Sequence, residues 1–172
     1  MGQSISNKHF FEKIFLVVDV NYERLISIRR SLNLSQRNMA ELLNVSKSNY
    51  ARWETSEKII PLKHLVDFCN LTKLSLDYAL SLNNKKKKST YTIEYDNYSL
   101  GRKIKKLRLS HHLTQLEFAE SINTTQSVIS DYENGLNIIQ TSFLLDICKK
   151  YNVSADYLLK KEILEVRNYV RL

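Results

Sequence analysis

The sequence predicts an all-α chain built from two consecutive five-helix units, and three observations carry that prediction. Only three Gly and one Pro occur among 172 residues. That is too few for the turns of an all-β chain or the glycine loops of a doubly wound sheet, so helices with short connections remain. Sliding the sequence along itself by 79 residues aligns 21–80 with 100–159 without a gap, and about eighteen of the sixty positions are identical. Helix-start signals then recur in both copies at the same offsets.

The repeated identities include Arg29/Arg108, Gln36/Gln115, Ala40/Ala119, Asn44/Asn123, Ser48/Ser127, Glu54/Glu133, Leu65/Leu144, Cys69/Cys148, Ser75/Ser154 and Tyr78/Tyr157. A unit of about sixty residues is just large enough to fold alone. We therefore read two domains, 21–82 and 99–159, rather than a solenoid. A flank at 1–20 places Phe11, Ile14, Phe15 and Val18 at helical spacing, and a tail at 160–172 does the same with Ile163, Val166 and Val170. Between the domains, 83–98 opens with Lys85, Lys86, Lys87 and Lys88. Four adjacent lysines repel one another, which predicts a solvated linker acting as a tether.

Within each unit the helices follow in order. The first spans about 21–32, with Leu25 and Ile28 on its apolar face, and its counterpart spans about 100–111, with Ile104 and Leu107. Ser35 is placed to cap the second helix, with Leu34 and Met39 as a hydrophobic staple. The second copy repeats this with Leu113, Thr114 and Phe118, and Glu117 completes a capping box. These helices end near Asn44 and Asn123. Ser46 and Thr125 cap a third helix almost at once, and two short helices around a tight turn form a helix-turn-helix. Ala40 and Ala119 are small enough for the pair to cross closely. A fourth helix covers about 61–71, with Pro61 in its first turn where the missing N–H costs nothing, and its counterpart covers 141–151. Ser75 and Ser154 open the last helices.

The chain carries 26 basic and 18 acidic residues, a formal charge of +8. That balance favours a polyanionic partner. Its two cysteines, Cys69 and Cys148, form no disulfide framework, which points to a reducing cytoplasm; both are expected as small core fillers. The longest apolar run, 14–18, is far short of a membrane span and lacks a signal-peptide layout. A soluble intracellular protein is expected. No phosphate-binding glycine loop, zinc-spaced Cys/His cluster or nucleophile–base pair is present. No enzyme activity, catalytic residue, cofactor, metal or small-molecule ligand is assigned. Trp53 and Tyr132 fall on the apolar side of the third helices and are expected in the core, and Glu54 and Glu133 are expected to tie helices together.

The runs Leu113-Thr114-Gln115-Leu116-Glu117-Phe118-Ala119-Glu120 and Thr125-Gln126-Ser127-Val128-Ile129-Ser130-Asp131-Tyr132-Glu133-Asn134-Gly135 resemble the Cro/C1-type (XRE family) helix-turn-helix domain. Leu34-Ser35-Gln36 and the stretch from Ser46 to Glu54 show the same layout. The resemblance covers about 120 residues and implies a lambda-repressor-like fold, with double-stranded DNA as partner. It places the third helix of each domain in the major groove and the second across the backbone. On that basis Gln36 and Gln115 are expected on phosphate. Ser46, Lys47, Ser48 and Asn49 are expected at the groove in the first domain, with Arg52 on phosphate. Thr125, Gln126, Ser127 and Val128 are expected at the groove in the second. Lysine suits guanine, asparagine and glutamine suit adenine, and valine suits a thymine methyl, so the two domains should prefer different half-sites.

There are departures from the family pattern. Asp131 replaces the cation at the Arg52 position, and Thr55-Ser56 stands where the second copy has Asn134-Gly135. The first unit has nine basic against six acidic side chains over 21–82, and the second seven against six over 99–159. Arg102, Lys103, Lys105, Lys106 and Arg108 are expected to compensate with DNA contacts. The expected function is a bacterial or phage transcriptional regulator of repressor type, cytoplasmic and nucleoid-associated, acting as a homodimer joined through the flanks or the second domain; the alternative is a single chain whose extended linker lets its two recognition helices span both half-sites. The competing reading is a protein-interaction module of antitoxin or anti-repressor type, docking through the apolar segment 10–18.

Overall fold

The computed structural model describes residues 22–86, 88–89 and 92–161. The flanks expected to be helical at 1–20 and beyond 161 lie outside them. Ten helices occur among the described residues, five per unit. The first unit holds α1 (Glu23–Ser31), α2 (Gln36–Leu42), α3 (Lys47–Glu54), α4 (Leu62–Thr72) and α5 (Leu76–Ala79). The second holds α6 (Asn97–Ser110), α7 (Gln115–Ser121), α8 (Gln126–Glu133), α9 (Thr141–Tyr151) and α10 (Ala155–Leu159).

The helices start where hydroxyls reach back to free backbone N–H groups. Ser35, Ser46 and Ser75 cap α2, α3 and α5, and Thr114, Thr125 and Ser154 cap their counterparts. The Thr114–Glu117 capping box is complete. Each such cap contributes about 1 kcal/mol. Two starts differ from expectation. Pro61 is the residue before α4 rather than its first turn. The Asp96 carboxylate accepts from the Ser99 N–H and starts α6 three residues early, inside the stretch read as linker.

Left-handed backbone recurs with the repeat. Asn33, Asn44, Ser56 and Lys73 have φ between 54° and 60°, and His112, Asn123, Gly135 and Asn152 occupy the same places 79 residues on. Lys73 and Asn152 end α4 and α9 in this conformation. It suits Gly or Asn and strains a lysine. Lys73→Gly is therefore expected to raise stability by about 0.5–1 kcal/mol, after allowing for glycine's larger entropy loss on folding. A urea midpoint at or below the wild-type value would count against this.

The core follows the predicted apolar faces. Met39, Leu65, Phe68, Ile104, Phe118, Ile129 and Leu144 are fully buried, as are Ala40 and Ala119 where α2 meets α3 and α7 meets α8. Trp53, Tyr132, Cys69 and Cys148 are buried as expected.

The stretch 83–98 is not a plain tether. Lys85, Lys86 and Lys88 are exposed, but Ile93 is buried. The Asn70 side chain accepts from the Ile93 N–H at 2.7 Å and donates to its carbonyl at 3.1 Å. An isolated antiparallel bridge joins Leu74 to Lys88. Backbone groups that composition assigned to water are thus satisfied by the first unit.

The two units also touch directly, through equivalent surfaces. Asp156 accepts from the backbone N–H groups of Leu76 and Asp77, each at 3.0 Å. In return Asp77 accepts from the Ala155 N–H and the Ser154 hydroxyl, each at 2.7 Å. Thr141 Oγ1 donates to the Ile60 carbonyl at 2.6 Å. There residues 59–63 and 138–141, where the loops before α4 and α9 enter those helices, line one apolar cleft of about 380 Å³. Contacts of this reciprocal kind are what a two-fold axis produces.

Candidate nucleic-acid interface

The third helices carry the candidate recognition surface, and their sequence fixes which side is free. On α3, Tyr50 and Trp53 are buried; on α8, Ile129, Tyr132 and Glu133 are buried. These positions repeat at helical spacing, so the first turn projects the other way. Lys47, Ser48, Asn49 and Arg52 are exposed, and so are Gln126 and Ser127. Val128 differs from that set: it is half-buried against the core, so only part of it remains for a methyl contact.

Ser46 and Thr125 are exposed and already employed. Ser46 Oγ accepts from the Asn49 N–H at 3.1 Å, and Thr125 Oγ1 from the Val128 N–H at 3.4 Å. A capping hydroxyl uses a lone pair and keeps its proton, so each still has a donor for a phosphate.

A buried polar cluster holds this surface in place, and it is the same in both units. Arg29 donates Nε and Nη2 to the two oxygens of Glu54 at 2.6 and 2.9 Å, and Nη1 to the Leu34 carbonyl at 2.7 Å. Arg108 repeats this on Glu133 and Leu113 at identical distances. Gln36 Nε2 joins Glu54 at 2.8 Å, and Gln115 Nε2 joins Glu133 at 2.9 Å. One cluster thereby links the first helix, the start of the second and the end of the third. Burial pushes the Glu54 and Glu133 carboxyls up, but the arginine and glutamine hydrogen bonds outweigh it and hold both below the usual range. The two carboxylates meet their expected role of tying helices together. Gln36 and Gln115, expected on phosphate, each commit one amide hydrogen to the cluster and keep a second donor.

The cations sort into two groups. Arg52 is exposed and pairs with Glu57 at 3.3 Å, an exposed pair of little strength that a phosphate can replace. Its counterpart Asp131 accepts from Asn137 Nδ2 at 2.9 Å. On α6 the expectation of five DNA-facing cations is corrected. Arg108 is buried in the cluster just described. Lys103 is buried as well, its ammonium donating to the Tyr157 carbonyl at 2.8 Å and to those of Leu158 and Lys160. Those carbonyls end α10, where helix C-termini leave unpaired acceptors and partial negative charge. Arg102 lies over the Tyr98 ring at 5.1 Å, and Lys105 and Lys106 are exposed. Counting cations by charge missed this, because helical register decides which of them point inward.

The Asp77/Asp156 contact was also missed. Its signal was present: both residues are repeat identities, each two positions after a serine cap, where acidic residues favour a helix start. Nothing in the sequence says that each carboxylate serves the other unit's helix. Among the described residues no group of His, Cys, Asp and Glu has a metal-binding arrangement, and no helix is long and apolar enough to cross a membrane.

Known proteins resemble this chain in its helix-turn-helix units. A helix-turn-helix family model, HTH_3, matches twice, at residues 25–78 and 104–158. Over 55 residues the chain is 46% identical to antitoxin PezA of Streptococcus pneumoniae serotype 4, covering 32% of this chain and 35% of that protein. It is 39% identical over 70 residues to the HTH-type transcriptional regulator ImmR of Bacillus subtilis, covering 41% of this chain and 55% of that one. A further Bacillus subtilis protein, the uncharacterized HTH-type transcriptional regulator YobD, is 34% identical over 62 residues, covering 36% and 55%. The chain therefore spans about half or less of the length of these relatives. No solved structure matches. With two matches that together span more than half of its length, the chain belongs to the XRE-type helix-turn-helix family, and carries that domain in tandem.

Proposed function

We propose that this chain is a sequence-specific double-stranded DNA-binding transcription regulator of repressor type, reading the major groove with the first turns of α3 and α8. One observation carries the reading. Both units expose polar residues in the first turn of the third helix, and both lock that helix from behind with the same Arg–Glu–Gln cluster. A rigid base-reading turn is what direct readout needs, because a bidentate contact tolerates little misplacement. Lys47, Ser48 and Asn49 read one half-site; Gln126, Ser127 and the exposed part of Val128 read the other. Gln36, Gln115, Arg52 and the hydroxyls of Ser46 and Thr125 bind phosphate and set the register. The relatives named as transcriptional regulators support the same reading.

Selection from random duplex DNA at about physiological salt tests it, followed by titration of the enriched duplex. The expected result is a motif with two differing halves. Replacing Lys47 and Asn49 with alanine is expected to weaken binding by about 1–3 kcal/mol for each base that is no longer read. It should relax preference in one half only. Arg52→Ala should weaken all duplexes alike and lower the salt slope by about one. Weak, salt-sensitive, sequence-blind binding is the result that sinks this reading. It would favour a protein-binding module, the reading suggested by the relative named as an antitoxin. The docking segment expected for that role, 10–18, lies outside the described residues.

A further inference from the structure

We infer that the reciprocal contact between Asp77 and Asp156 makes one chain a complete, fixed-spacing reader of an operator with two unlike halves. This deepens the function proposed above and rests on it.

The closing helices of the two units, α5 and α10, are short. They have four and five residues, far too few to hold a helical turn unaided. Each receives a carboxylate at its N-terminus from the opposite unit. Ser154 Oγ both donates to Asp77 and accepts from the Tyr157 N–H. The helix that closes one unit is thus completed by the other. Charge-assisted bonds of this kind are stronger than neutral ones, and an anion is favoured at a helix start. The Thr141–Ile60 bond adds a second point of attachment. Two points joining the same two bodies resist hinging, where a flexible linker alone would not.

The linker is also held down. Ile93 is buried and bonded to Asn70, and Lys161 donates its N–H to the Glu94 carbonyl at 3.3 Å. The connection therefore does not act as a free sixteen-residue string. A homodimer was expected from the sequence because the apolar stripes of the two terminal flanks otherwise have no assigned role. Here the second repeat supplies the partner within the chain, through surfaces that are equivalent in the repeat. The groove-facing residues of the two halves differ, so the site that fits has unlike halves at one separation. Asp77 and Asp156 are positioning residues: they touch no DNA, and they set the distance between the turns that do.

The experiment uses the full chain and the selected duplex, with the two half-sites moved apart or together in single base-pair steps. Native mass measurement gives the stoichiometry. Wild-type protein is expected to bind as one chain per duplex. Its affinity should fall by roughly 30-fold or more when one half-site is moved by half a turn, because both recognition turns then cannot engage at once. In Asp77→Ala with Asp156→Ala, that penalty is expected to shrink to roughly 3-fold, as a loosened tether follows the moved half-site. Binding to duplexes that hold either half-site alone should stay close to wild type, and the two together show that both units still fold. Asp77→Asn with Asp156→Asn, which retains one acceptor oxygen on each side, should restore part of the penalty. Thr141→Val, away from both short helices, should loosen the spacing in the same direction. Two chains on each duplex, or a wild-type profile as flat as the alanine variant's, overturns the inference and leaves the DNA-reading function standing. If selection returns no motif, both fall together.

Discussion

Arg108→Leu is expected to destabilise the second unit by about 3–5 kcal/mol, comparable to the whole stability of a domain this small. The reason is the position of its partner. The Glu133 side chain is 2% exposed and that of Arg108 8%. Removing the arginine leaves a buried carboxylate with only Gln115 to satisfy it. It also leaves the Leu113 carbonyl without its donor at the turn between α6 and α7. The double change Arg108→Leu with Glu133→Leu is expected to cost far less than the two single changes added together, because no charge is then stranded. Urea unfolding of the three variants checks this, and additive losses would exclude the account.

The same cluster sets a pH dependence. Burial raises the Glu133 carboxyl, but the bonds from Arg108 and Gln115 bring the net value below the usual range. The unfolded chain holds that group near its ordinary value of about 4.3. The unfolded state therefore binds the extra proton first. The stabilisation is fully present above about pH 4.5, and is lost as pH falls through the lower folded value. Glu54 behaves alike. Wild-type stability should decline in mild acid, and the decline should be shallower in the double leucine variant.

Gly101→Ala is expected to be nearly as damaging, at about 3 kcal/mol, the upper end for overpacking. A Cβ at this position would lie 2.1 Å from the Tyr132 carbonyl oxygen and 2.9 Å from that of Glu133. Both are backbone atoms at the end of α8 and cannot swing aside as a side chain would. Alanine normally favours a helix interior over glycine by about 1 kcal/mol, so a loss here would show that packing overrides propensity. Gly135 lies on the same contact, with φ +69° and Tyr98 Cα 2.9 Å from its notional Cβ. Two of the chain's three glycines thus serve one contact between α6 and α8. The variant's DNA affinity should fall along with its urea midpoint, since the displaced helix is the one proposed to read bases. An unchanged midpoint would mean that α6 moves away without cost.

Much of this was legible in one dimension. The 79-residue repeat, the serine and threonine caps and the spacing of apolar residues predicted the ten helices, most to within one or two residues. Such signals are local: a cap needs only the next three residues, and an amphipathic face needs only its own helix. The exposed first turns of α3 and α8 were legible for the same reason, since Tyr50, Trp53, Ile129 and Tyr132 mark the opposite side.

What the sequence left open was every choice between chemically equal partners. Lys103 and Lys106 are both lysines on α6, yet one is buried on the α10 carbonyls and the other faces solvent. Gln36 could serve phosphate or Glu54, and only the approach of α3 brings the glutamate within 2.8 Å. Asp77 and Asp156 could each have capped its own helix; tertiary packing aims them across, at each other's. Local sequence alone determined where helices begin and which face is apolar, because those depend on neighbours along the chain. The tertiary structure decided which polar groups are paired and how the two units are coupled. Those depend on atoms that come within about 3 Å of one another from positions 18 to 81 residues apart.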